Sequence, residues 1–155
     1  MKYTIAQTGK VYVLRLEDGE VVQDSIELFA ESMGIKSAKV QLLGGIDKGS
    51  RIIVGPREGR SANIEPMVHI LDEMYEAVGN GTIFCNESGT PKLHCHLACG
   101  RGTRTICGEI REGVIVWHVL EVIITEFQEC DALRKQDIAT GFELLVPGKE
   151  FRDSE

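Results

Sequence analysis

At 155 residues the chain has the length of one domain, and 43% hydrophobic with 26% charged residues is an ordinary globular balance. A formal net charge of −7 argues against a protein that gains its affinity by neutralising phosphates, and no apolar run reaches the roughly 20 residues of a membrane helix. The opening stretch Met1–Gln7 lacks the apolar core of a signal peptide, and five cysteines without a CxxC pair suit free thiols better than disulfides or a zinc ribbon, so the expectation is a soluble cytoplasmic protein.

Val11-Tyr12-Val13-Leu14-Arg15-Leu16 reads as a strand ended by Asp18-Gly19. Val22, Ile26, Phe29, Ala30 and Met33 then recur at helical spacing, with Gly34 as the stop. Ala38–Leu43 is a second strand closed by Gly44-Gly45, and Arg51–Gly55 a third, followed by a loop containing Pro56, Arg57 and Arg60. The segment 67–78 is ambiguous: Met67, Ile70, Leu71, Met74 and Val78 fit a helical stripe behind Pro66. Gly79-Asn80-Gly81 introduces a strand at Thr82–Cys85. Lys92–Cys99, Thr105–Ile110 and the long Val114–Phe127 complete a β-rich last third, and Cys85, Cys95, Cys99 and Cys107 sit in apolar strand contexts where a thiol acts as a small hydrophobe. The tail from Asp131 to Glu155 looks irregular or peripheral, which divides the chain into a domain over 1–130 and a tail over 131–155. One main helix and roughly seven strands in meander-like order predict a single α+β domain built on a mainly antiparallel sheet. Neither a Walker loop nor a Rossmann glycine pattern is present.

The candidate site is Leu93-His94-Cys95-His96-Leu97. Residues two apart in a strand share a face, which sets the backbones of His94 and His96 roughly 7 Å apart, within chelating reach of one ion. A four-residue loop Gly100–Thr103 would set His96 opposite Cys107 and His94 opposite Glu109, placing all four on one surface. Two imidazoles, a carboxylate and a possible thiolate are ligands for zinc or another divalent transition metal. A five-residue loop would turn Glu109 away and admit His118 instead, if Arg111-Glu112-Gly113 is a hairpin loop. Ordinary polar positions without any metal are the competing reading of the pair, and a core thiol that of Cys107. Arg101 and Arg104, in the glycine-rich loop beside the histidines, are candidates to hold an anion. Glu121, inside an apolar strand, needs a cation or a subunit contact unless it is an exposed alternating position. Trp117 reads as core or interface.

The order of these segments resembles the PPC domain (plants and prokaryotes conserved), which the AT-hook proteins of plants carry and which prokaryotes have as a stand-alone chain. The matching pieces are Lys10–Glu20 with the following helix, Ile35–Val40 with Gly44-Gly45, Gly81–Phe84, Leu93–His96 with Gly100-Arg101, and Glu121–Ile124. The resemblance implies an α+β domain that assembles as a homotrimer, related in architecture to acetolactate decarboxylase. It also implies a DNA-binding or regulatory role, and in some prokaryotic members a metal on the His-x-His pair completed by a histidine after Gly-Gly. Here that later segment reads Cys107-Gly108-Glu109, so Glu109 stands where the third histidine would be. This chain carries no AT-hook, and with its acidic balance that argues against direct duplex binding. The second class of reading is a metal-dependent, lyase-like enzyme acting on a small oxygenated substrate, with His94, His96 and Glu109 on the ion and Arg101 or Arg104 on a carboxylate.

Overall fold

Alternating apolar residues in long strands need a cover on one face only, and a single amphipathic helix supplies it. The computed structural model describes residues 1–60 and 64–150. In chain order it contains β1 (Lys2–Tyr3), β2 (Gln7–Glu17), α1 (Val22–Ser32), β3 (Ser37–Ile46), β4 (Arg51–Pro56), β5 (Pro66–Ile70), β6 (Tyr75–Cys85), β7 (Pro91–Arg101), β8 (Arg104–Ile110), β9 (Val116–Gln128), β10 (Leu133–Gln136), β11 (Glu143–Val146) and β12 (Lys149–Glu150). Eight strands form one antiparallel sheet in the order β2-β9-β3-β6-β7-β8-β4-β5, while β10 pairs with β11 and β1 with β12. This is the single α+β domain that the strand and helix patterns predict.

Helix α1 buries Val22, Ile26 and Ala30, one stripe at four-residue spacing. Its C-terminal stop is Gly34, at φ 68, whose N–H donates to the Glu31 carbonyl while Ile35 N–H donates to that of Ala30. The stripe joins a core that includes Val40 and Leu42 on β3, Ile83 on β6, Cys95, Leu97 and Cys99 on β7, and Leu120, Val122 and Ile124 on β9. Gly79 and Gly81 lie on this covered face of β6. A Cβ at Gly81 would stand 2.6 Å from Cys95 Cβ, and one at Gly79 would stand 2.6 Å from Leu97 Cδ2, so the absence of side chains lets these strands close over the core.

Five expectations change. The helical stripe over 67–78 is instead β5 and β6, joined through 71–74, with Leu71 and Tyr75 buried on either side of the bend. Gly79-Asn80-Gly81 does not introduce a strand but lies in the middle of β6, and Gly44-Gly45 does not end β3, which runs on to Ile46. Arg111-Glu112-Gly113 is no hairpin loop: Ile110 pairs with Ile52 on β4, while β9 pairs with β2 and β3, so the long strand crosses to the far half of the sheet. The tail is not irregular throughout. Its residues 133–136 and 143–146 form a two-stranded ribbon that buries Arg134, while 151–155 fall outside the described residues.

Candidate functional site

The turn between β7 and β8 decides which side chains meet His94 and His96. It holds two residues, Gly102 and Thr103, because Arg101 pairs directly with Arg104. Gly102 sits at φ 60, a backbone that tight hairpin turns of a twisted sheet require and that glycine takes without strain. The predicted loops of four or five residues are therefore both too long. Two and four differ by an even number, so the face assignment made with the longer loop stands, with partners moved along the strand. Glu109 lies opposite His96 rather than His94, and Cys107 lies opposite Ala98 rather than His96.

Glu109 still reaches His94, its Oε1 standing 3.5 Å from His94 Nδ1. Its other oxygen accepts from Arg111 Nη2 at 3.2 Å. The His94 and His96 rings are tilted against each other with centroids 5.2 Å apart. Partial burial pushes His94 below the usual histidine range, opposed by the nearby Glu109 carboxylate, so the neutral imidazole is favoured. Cys107 is exposed, which corrects its reading as a core thiol, whereas Cys95 and Cys99 are buried on the covered face and burial pushes their thiols up to about 12 and about 11.

Among the described residues no three His, Cys, Asp or Glu side chains converge to hold a metal ion. Glu109 shares its carboxylate with a guanidinium, so two imidazoles and one engaged acid do not form a closed three-ligand set within one chain.

The other candidates are kept apart. His118 is on β9, three inter-strand spacings from β7, or about 14 Å by sheet geometry. It sits at a bulge where the β3–β9 register slips, with φ 67, and its N–H donates to Asp18 Oδ1 at 2.6 Å. Arg101 and Arg104 flank the β7–β8 turn at the opposite end of β7 from His94. Arg101 Nη1 donates to the Met74 carbonyl at 2.9 Å, and Arg104 Nη2 stands 3.4 Å from Asp72 Oδ2. Glu121 is an exposed alternating position facing Arg15, whose guanidinium turns instead to Glu17 at 2.6 Å. Trp117 is part-exposed and does not belong to the core.

Two features gave no signal in the sequence. The first is the cavity beside His94, of about 820 Å³, walled by β7, β8, β4, Ile64 and Pro66 and roofed by Phe142, Leu144 and Leu145 of the tail. Arg134 reaches it from β10, a lone arginine in a stretch without alternation. The second is the sheet face opposite α1. Register places Val13, Ile123, Gln41, Asn80, His96 and Glu109 in one row across six strands, and Arg15, Glu121, Leu43, Val78, Ala98 and Cys107 in the next. Val13 is 79% exposed, Val78 61% and Leu43 51%. The histidine pair lies at the edge of a surface with exposed apolar residues that no described residue covers.

One helix over a largely antiparallel eight-stranded sheet, with paired histidines on its open side, defines the class as a single-domain α+β protein with a surface-borne candidate site. Residues 3–128 match the Plants and Prokaryotes Conserved (PCC) domain, and the chain belongs to that family. It is similar in fold to a metal-containing protein from Archaeoglobus fulgidus, at 24% identity and a TM-score of 0.79, over 94% of this chain and 99% of that one. A plant- and prokaryote-conserved (PPC) protein from Pyrococcus horikoshii is similar at 23% identity and a TM-score of 0.78, over 98% and 99% of the two chains. A third structure, named a putative DNA-binding protein, from Bacteroides thetaiotaomicron, aligns at 16% identity and a TM-score of 0.72, over 94% and 99%. No curated protein matches the chain.

Proposed function

We propose that this chain is a regulatory protein of the PCC family that works as a homotrimer, with a small-ligand site at its His-x-His strand. The open sheet face carries the proposal. Val11, Val13, Leu43, Val78 and Ile123 project from four adjacent strands into solvent, interspersed with Arg15, Gln41, Asn80 and Glu121, a cluster of exposed apolar residues of the kind that marks a protein–protein contact. Direct duplex binding, the role in the name of the Bacteroides thetaiotaomicron protein, is the weaker part of the reading. The net charge is −7, and Arg57 and Arg104 already stand 3.1 Å and 3.4 Å from Glu65 and Asp72.

Light scattering of the full chain should give three times the 17.1 kDa chain mass, and Val13→Glu with Leu43→Glu should reduce it to one. A monomeric parent protein would sink the assembly reading. Zinc titration of tag-free protein decides the ion. Binding that is lost in His94→Ala and in His96→Ala would mean that Glu109 or a second chain completes the set, and absent binding would leave an organic ligand. The lyase-like alternative stands or falls with the same titration, since it needs a third ligand on the pair.

A further inference from the structure

We infer that the cavity beneath the tail ribbon is a binding site for a small organic acid, its carboxylate held by Arg134 and its apolar body between the sheet and the roof. Arg134 is only 7% exposed, yet it makes no ion pair among the described residues. Its guanidinium has two long contacts, Nη1 to the Glu143 carbonyl at 3.4 Å and Nη2 to Thr82 Oγ1 at 3.3 Å, and its Nε has no partner. A guanidinium offers five N–H donors in a fork that fits a carboxylate. Two stretched bonds to neutral oxygens leave a buried charge poorly compensated, a state proteins seldom keep without a counter-ion.

Glu143 and Glu109 act on Arg134 through space, but neither closes an ion pair with it. Glu27 accepts from Leu93 N–H at 2.9 Å and stands 3.4 Å from Lys92 Nζ, while Glu109 is taken by Arg111 and His94. The Glu143 side chain turns to Asn86 Nδ2 at 3.4 Å. Lys92 and Arg111 thus each have a carboxylate within 3.4 Å, whereas Arg134 has none at ion-pair distance. Around it Ile53, Pro56, Leu93, Phe142 and Leu144 give apolar wall, interspersed with the paired charges of Glu27, Lys92, Glu109 and Arg111, and the volume of about 820 Å³ lies within the range of small-molecule sites. One cation without an ion pair, beside apolar wall and carboxylates already engaged elsewhere, selects a monoanion with a hydrocarbon body over a phosphate, whose second charge would meet Glu27, Glu109 and Glu143.

His94 and Glu109 line this cavity as well, so EDTA is present to keep any ion off the pair and to separate this test from that of the ion, and it is run at whatever oligomeric state the chain adopts. Calorimetric titration of the full chain should show one octanoate bound per chain. Octan-1-ol, with the same body and no charge, should bind at least about tenfold more weakly, the scale of one lost charged hydrogen bond, and inorganic phosphate should give no heat. Arg134→Met should weaken octanoate by at least about tenfold and leave octan-1-ol unchanged. Octan-1-ol binding as tightly as octanoate, phosphate binding in place of octanoate, or undiminished octanoate binding to Arg134→Met would each overturn the assignment. The octanoate and octan-1-ol comparison needs no variant, so the test stands even if Arg134→Met does not fold.

Discussion

The two faces of the eight-stranded sheet are made from the same strands and both carry large apolar residues, but these have opposite fates. On one, Leu42, Leu97, Val122 and Ile124 are buried with the stripe of α1. On the other, Leu43, Val78 and Val13 face solvent, and the histidine pair sits among them. Period-two alternation tells which residues share a face, but not which face receives the helix. What separates the faces is the cover, and the cover is a property of the whole chain or of its assembly.

The sharpest way to break this comparison uses one residue type on both sides. Leu97→Ala should cost about 2–5 kcal/mol in denaturant unfolding, from lost transfer energy and the cavity left behind. Leu43→Ala on the open face should stay within about 0.5 kcal/mol in an isolated chain. A Leu43→Ala loss that grows with protein concentration would show that face buried in an assembly. A second contrast comes from the thiols. Iodoacetamide should modify exposed Cys107 in the native protein and reach Cys95 and Cys99 only on unfolding, as peptide mass mapping would show. Native protection of Cys107 would instead point to a second chain over it.

The smallest effect is a titration. Followed by NMR in EDTA, His94 should titrate below 6.5, and Glu109→Gln, which removes an influence holding it up, should move it lower still. Because the folded value is depressed, protonation favours the unfolded chain. The His94 contribution to stability is therefore present above the unfolded value of 6.5 and is lost as pH falls through the folded one. A titration at or above 6.5 would contradict the burial that produces the shift.

Much of the fold was legible because its signals are local. The stripe from Val22 to Ala30 with Gly34 behind it marks a helix, and the alternation over 92–99 and 105–110 marks strands, whatever they pack against. The segment 67–78 was not, because apolar residues on both sides of the bend at 71–74 coincide with a helical spacing, and only pairing with β4, β3 and β7 resolves it. The hairpin expected after Ile110 failed for the same reason: the partners of β9 are distant in sequence. Within the site, the shared face of His94 and His96 followed from strand alternation, but placing Cys107 and Glu109 on it required an even turn length. The partners along the strand depended on a turn length that Gly100-Arg101-Gly102-Thr103 leaves open. Arg134 was invisible, since nothing in its neighbours announces that a ribbon will fold it against Thr82.

The roof over the cavity lies beyond residue 128, where the match to the family ends, whereas its floor is built from strands inside that match. The cavity thus joins the long sheet strands to a ribbon much further along the chain. Arg134 reaches back to Thr82 on β6, 52 residues earlier, so ribbon and sheet close the cavity together and neither shapes it alone.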